Sequence, residues 1–248
     1  MADCVHGKAY PNLLELVEEV DILFITTPDD VIQLVSLEIS RLPLDLSEKT
    51  IIHCSGALSC QILSDCHQKG AVTASLHPLQ AFIGSDEDIM QLKNTFFTVD
   101  ASDSKDERIH QLISTLGNSF KWIPFDKKGL YHGAAVLASN YMVTLIEEAL
   151  TYMRQLYIDD ITSLEMLMPL MKSSMANVEN KGTIDGLTGP IVRGDTKVVA
   201  AHLSQINEHL GNEASEFYKL MGRHTIKMIQ NHRMDQQKYE EFDLMFKE

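Results

Sequence analysis

Along the first half of the chain, short apolar runs alternate with amphipathic segments. Residues 12–20, NLLELVEEV, place Leu13, Leu16, Val17 and Val20 on one helical face, with Glu15, Glu18 and Glu19 largely opposite. DILFITTP (21–28) follows, an apolar strand ended by Pro28. The same order then repeats. Residues 29–42 read as an amphipathic helix, TIIHCSG (50–56) as a strand leaving into a glycine turn, 58–69 as a helix, and AVTASLHP (71–78) as a strand with a proline stop. A loop with Phe82 and Gly84 leads to strand NTFFTVD (94–100), helix SKDERIHQLISTLG (104–117) closed by Gly117, and strand FKWIPF (120–125). Strands alternating with crossover-length helices predict a parallel sheet in an α/β fold. The unbroken apolarity of ILFI predicts a strand covered on both faces.

The period changes near Gly129. From 130 to 153 apolar or small residues occur on almost every side, which predicts one long helix of about 36 Å, at 1.5 Å per residue, with its first half buried. Further helices are expected at 161–178, 195–210 and 213–233, with Asp195 as an N-cap and Gly211 as a C-cap. Between the first two lies a glycine-rich connector, 181–195. The fold class is therefore α/β plus all-α: a Rossmann-like sheet domain over 1–128 and a helical domain over 129–248.

Charge narrows the partners. The chain has 21 Lys and Arg against 35 Asp and Glu, a formal charge of −14, which disfavours nucleic acid and anionic membrane surfaces. No apolar run reaches the roughly 20 residues of a membrane span and no leader is visible, so a cytoplasmic protein is expected. Cys4, Cys54, Cys60 and Cys66 lack the paired spacing of a zinc site and read as reduced thiols, with no metal.

Chemistry concentrates where apolar runs give way to polar residues. An α/β sheet binds ligands at the carboxyl ends of its strands, and three successive exits carry small, polar or proline-fixed residues. These are Thr27, Pro28 and Asp29; Ser55 and Gly56; and His77 with Pro78. They read either as a ligand cleft or as ordinary turns. His77 can hydrogen-bond a carbonyl or carry a proton near neutral pH, whereas His53, inside its strand, reads as scaffold. On the long helix, His132, Ser139 and Asn140 form a polar line. Asn140 reads as meeting a ligand, as making a hydrogen bond between domains, or as part of a polar exposed face. Arg193 can clamp an anion or pair structurally, and Asp195 can orient it or cap the next helix.

The thirteen glycines contain no G-x-G, so the dinucleotide fingerprint is missing, and no G-x-S-x-G nucleophile elbow occurs. Even so, PDD (28–30), HCSGALS (53–59), SLHPLQAF (75–82), YHGAAVLASNYMVTL (131–145) and LTGPIVRGD (187–195) together resemble the Rossmann-like DUF2520 family of NAD(P)-binding oxidoreductases. More distantly the arrangement is similar to prephenate dehydrogenase, pyrroline-5-carboxylate reductase and the 6-phosphogluconate/β-hydroxyacid dehydrogenases. The resemblance implies a helical 6-phosphogluconate-dehydrogenase-like C-terminal domain that forms a homodimer, NADP or NAD as cofactor, and hydride transfer to or from a small polar or anionic substrate. It further implies Thr27, Pro28, Asp29, Ser55 and Gly56 on the cofactor side, and Ser55, Asn140 and Arg193 on the substrate. His132, His77 and Asn140 would be catalytic. The lysine found four residues before the asparagine in the β-hydroxyacid enzymes is here Val136, so His132 would substitute for it.

Members of this family normally carry a glycine-rich βαβ element before the point matching Tyr10, where this chain has nine residues. Dinucleotide binding is accordingly expected to be weakened or lost, with the sheet edge left open. The competing reading is a non-catalytic dimeric binding or regulatory protein derived from a dehydrogenase.

Overall fold

The computed structural model describes residues 7–84 and 86–247; Cys4 lies outside the described residues. Two compact units divide at Val143 and Thr144. The helix that the sequence assigned to the start of the second domain is thus described with the first unit.

The first unit begins with α1 (Leu13–Glu19), whose free amides are capped by the Asn12 side chain through Glu15 N–H at 3.0 Å. Strands β1 (Ile22–Ile25), β2 (Thr50–His53), β3 (Val72–Pro78), β4 (Phe97–Ala101) and β5 (Phe120–Trp122) form one sheet in the order β1-β2-β3-β4-β5. Helices α2 (Asp29–Ser40), α3 (Ser64–Gln68), α4 (Asp86–Leu92) and α5 (Glu107–Leu116) connect them. Neighbouring residues of β2 serve opposite faces, as strand geometry requires. Ile51 packs with Val17, Ile25, Ile32 and Ile39 from the α1 and α2 side. Ile52 packs with Ala74, Leu76, Val99, Ile109 and Ile113 on the α5 side.

Three sequence expectations change here. The sheet is mixed: β3 and β4 run antiparallel, because the chain between them returns along the same edge instead of crossing over. β1 is an edge strand covered on one face only; Ile25 is buried, while Ile22 and Phe24 remain about two-fifths exposed at 40% and 42%. The long helix is two, α6 (Lys128–Ala138) and α7 (Asn140–Gln155), broken at Ser139 with ψ −70°. There the Ser139 hydroxyl donates back to the Ala135 carbonyl at 2.8 Å, a bond that bends helices.

The second unit comprises the rest of α7, then α8 (Asp160–Gly186), α9 (Pro190–Arg193), α10 (Thr196–Ile229) and α11 (Gln236–Met245). Its core is Val199, Leu203, Ile226, Phe242 and Phe246. The glycine at 211 takes φ +85° and interrupts α10, which is the break expected at that position. Asp195 precedes α10 but does not cap it with its side chain, which is occupied by Arg193. Arg233 staples the glycine-rich connector by donating to the Ile184 and Leu187 carbonyls at 2.7 and 2.8 Å. On α8, Ile161, Met166, Leu170 and Met175 are more than half exposed.

Candidate active site

Helix α6 lies on the strand ends of its own unit, and one face of it carries Lys128, Tyr131 and His132, spaced three and four residues apart. Lys128 is buried, with 2% of its side chain exposed. Its ammonium donates to Asp100 Oδ2 at 2.8 Å and to Ser75 Oγ at 2.7 Å. Asp100 and Ser75 sit directly opposite each other on β4 and β3. The other Asp100 oxygen accepts from Cys60 N–H at 2.5 Å, and the Ser75 hydroxyl donates to the Ser55 carbonyl at 3.2 Å. One buried charge pair therefore ties the exit of β2, the middle of β3 and the last residues of β4 to the start of α6, with its polar atoms satisfied.

Above this network the aromatic groups meet. The Tyr131 hydroxyl and His77 Nδ1 are 2.7 Å apart. The His132 and His77 rings stand edge to face, with centroids 6.5 Å apart. Between them is the backbone of Gly56. A Cβ there would come within 2.7 Å of His77 Nε2 and 2.9 Å of His132 Cδ2, so only glycine leaves both imidazoles in place. Burial pushes the His77 imidazole down to about 4, helped by the neighbouring basic groups of Lys128 and His132 and opposed by Asp29. At neutral pH its ring is uncharged. Burial also raises the Tyr131 phenol, which keeps its proton.

The other expected residues are distributed differently. The Ser55 hydroxyl donates its single proton to Asp29 Oδ2 at 2.8 Å and accepts from the Ala57 and Leu58 amides at 3.2 and 3.1 Å, fixing the turn after β2. Thr27 and Pro28 are exposed at the exit of β1, where Pro28 precedes α2. Asn140 is exposed at the start of α7, its side chain 3.0 Å from the Ser139 hydroxyl, whose proton goes to the Ala135 carbonyl. Arg193 belongs to the second unit, where its Nε pairs with Asp195 at 2.8 Å and its side chain is 61% exposed. His53 is buried scaffold: Nδ1 accepts from Ser55 N–H at 3.2 Å, and Nε2 donates to the Ser59 carbonyl at 3.1 Å.

Sequence reasoning passed over Lys128 and its partners Asp100 and Ser75. The signal was present, since Lys128 lies four residues before His132. Counted back from Asn140, the matching position is instead Val136.

A dinucleotide does not fit the described residues as a whole. Among the described residues no glycine-rich turn leads from a strand into a helix, and the first turn of α2 carries the carboxylates Asp29 and Asp30, which disfavour an anion there. Away from these groups, a surface cavity of about 450 Å³ opens beside Cys60, His67 and Phe125. Burial and Asp100 push the Cys60 thiol up to about 12, so no thiolate is offered there. Among the described residues, no three His, Cys, Asp or Glu side chains gather as metal ligands, and no helix is long and apolar enough to cross a membrane.

Residues 95–225 match the family described as "Domain of unknown function (DUF2520)". Among solved structures, the chain is similar to protein TM1727 from Thermotoga maritima, at 26% identity with a TM-score of 0.76, over 94% of this chain and 86% of that one. A candidate NADP oxidoreductase, BF3122 from Bacteroides fragilis, is 17% identical with a TM-score of 0.67, over 91% and 83% of the two chains. The 1-pyrroline-5-carboxylate reductase of Streptococcus pyogenes is 13% identical with a TM-score of 0.55, over 88% and 83%. The first two likenesses establish the fold: a Rossmann-like sheet followed by a helical bundle. No curated protein matches.

Proposed function

The chain belongs to the DUF2520 family, and from that premise we propose that it is an NAD(P)-linked oxidoreductase acting on a small polar or anionic carbonyl or imine compound. The observation that carries this reading is the meeting of His77, Tyr131 and His132 over the backbone of Gly56. Such an arrangement offers one side chain to polarise a C=O or C=N bond and another to move a proton. His132 is the proton carrier and His77 the group that meets the substrate heteroatom. Lys128 keeps positive potential beneath them without leaving its carboxylate. Asn140 is proposed to orient the substrate, with Ser55 acting through the turn it holds. When bound, NADP or NAD would supply or accept the hydride, with Thr27, Pro28, Asp29 and Gly56 on its side. That small anionic imines are a suitable class is supported by the name of the pyrroline-5-carboxylate reductase that shares the fold.

Because the pyrophosphate end finds no cradle in these residues, binding of the whole dinucleotide is expected to be weak. This misfit and the exposed apolar residues of α8 favour a second reading, a non-catalytic homodimeric binding protein joined through its helical domain. We retain 1–128 and 129–248 as the proposed domains, and the cytoplasm as the proposed location.

The test combines titration with turnover. NADPH and NADH are titrated by calorimetry, and 2-oxo acids and cyclic imines are then offered with either cofactor at millimolar concentration. Dissociation constants above the low micromolar range are expected, with turnover that falls roughly 10²–10⁴-fold in His132→Ala. Low micromolar binding would refute the weak grip, and turnover indifferent to both His132→Ala and His77→Gln would refute the site. Complete inactivity of a dimeric protein would favour the second reading.

A further inference from the structure

Resting on the oxidoreductase reading of this site, we infer that Tyr131 is a positioning residue that locks His77 in its Nε2–H tautomer, so that His77 meets the substrate heteroatom as a neutral hydrogen-bond donor.

The direction of the Tyr131–His77 hydrogen bond is what decides this. A neutral imidazole has one N–H and one lone pair, and a phenol can either donate or accept. Of the two arrangements, phenol to imidazole nitrogen is the stronger, because the phenol is far more acidic than a neutral imidazole N–H. Imidazole nitrogen is likewise a better acceptor than a phenol oxygen. Burial keeps the Tyr131 proton on its oxygen, so it has one to give. With 2.7 Å between the two atoms, the bond is short and direct. Nδ1 therefore holds the lone pair, and the ring proton is on Nε2.

Nε2 is also the ring atom that no group of the fold engages among the described residues: only Nδ1 of His77 is hydrogen-bonded, and Nε2 is not among the fully buried polar atoms. It faces the Gly56 backbone, where even a methyl group would crowd it to 2.7 Å, and His132 closes the other side. The titratable groups that act on His77 are Lys128 and His132 from α6, His53 from β2 and Asp29 from α2. The three basic groups oppose a second ring proton and only Asp29 favours one, so the ring stays neutral. The adjacent strand provides an internal parallel. The Nδ1 of His53 also accepts a hydrogen bond, from Ser55 N–H, and its Nε2 donates, but to the Ser59 carbonyl, so that proton is already used within the fold. His77 repeats the lock with a side chain in place of a backbone amide and leaves its Nε2–H without a partner among the described residues of the fold. A hydrogen bond from a neutral donor stabilises charge growing on a carbonyl oxygen or imine nitrogen without the donor losing its proton.

The test is the two-bond ¹H–¹⁵N spectrum of the ¹⁵N-histidine-labelled full chain between about pH 5 and about pH 8, the interval in which an ordinary imidazole changes charge. His77 is assigned by its absence in His77→Gln. The expected result is a single neutral Nε2–H pattern for His77 across that range. In Tyr131→Phe the pattern becomes a mixture of tautomers, while His132→Ala leaves it unchanged. A His77 that carries its proton on Nδ1, or is an imidazolium at neutral pH, overturns the inference. So does an unchanged pattern in Tyr131→Phe. The unsubstituted chain alone decides the first point, so the proposal stays exposed even if Tyr131→Phe does not fold. No cofactor or turnover enters the measurement. An inactive protein with the expected tautomer would sink the oxidoreductase reading alone, and a wrong tautomer beside His132-dependent turnover would sink this inference alone.

Discussion

Two cation–carboxylate pairs of almost equal length sit in opposite surroundings. Lys128 and Asp100 meet at 2.8 Å with 2% and 3% of their side chains exposed, whereas Arg193 and Asp195 meet at 2.8 Å with 61% and 37% exposed. The first bridges β4 to α6 and shares its ammonium with Ser75; the second links residues two apart in sequence. Distance is therefore no guide to their weight. A buried charge has given up its water and depends on its partner, while an exposed one exchanges partner for solvent at little cost.

The strongest way to break this contrast is Lys128→Ala. It strands the Asp100 carboxylate in the interior and should lower stability by about 3–5 kcal/mol in chemical denaturation. A loss below about 1 kcal/mol would mean that water reaches Asp100 and that the two pairs are alike. Lys128→Met together with Asp100→Asn should recover much of the loss, because no buried charge then remains.

The same contrast explains what could be read in advance. The alternation of apolar runs with amphipathic helices was enough for the sheet, because burial on both faces of β2 and β3 leaves a pattern that needs no partner to be visible. The antiparallel β4 was not legible: the alternation of NTFFTVD is the same in either direction, and only the return of the chain along one edge sets it. His77, Gly56 and His132 were legible as candidates because each stands where apolarity stops. Lys128 was not, since a lysine beside Lys127 and Asp126 looks like a solvated turn until the fold turns it inward. The break at Ser139 was hidden for a similar reason, as the serine hydroxyl's bond to Ala135 depends on local geometry that composition does not encode.

A smaller effect comes from closing the space the two imidazoles share. Gly56→Ala sets a methyl group against His77 Nε2 and His132 Cδ2 and should cost about 1–3 kcal/mol, with loss of any turnover. Gly133, one residue past His132 on α6, is exposed and a Cβ there would meet nothing within 4 Å. Gly133→Ala should instead stabilise the helix by roughly 0.5–1 kcal/mol. Equal responses at the two glycines would show that the region around Gly56 yields easily.

The depressed His77 also gives the sheet unit a pH response that exposed pairs lack. Its imidazole falls from the ordinary 6.5 to about 4, so between those values the unfolded chain binds the proton and the folded chain does not. Stability therefore declines as pH falls through 6.5 and levels off near 4. His53, lowered in the same direction by burial, adds to the slope. His77→Gln should flatten part of the dependence in melting curves recorded across that window. An unaltered slope would place the titration entirely on His53 and other groups.

The smallest expected effect belongs to Arg193→Ala. Its guanidinium is mostly in water and holds Asp195 through a single Nε bond, so the pair should contribute between about 0 and 1 kcal/mol. Asp195 keeps its other job in the variant, because its backbone carbonyl, not its carboxylate, accepts the Val198 and Val199 amides at the start of α10. The melting temperature should barely move, and raising the salt should change the wild type and the variant alike. What can still change is recognition. If Arg193 holds an anionic group of the substrate equally in the ground and transition states, the variant raises KM and leaves kcat in place. A marked loss of stability would make Arg193 a structural residue and remove the contrast with Lys128. An unchanged KM for every anionic substrate that is turned over would leave it with neither role.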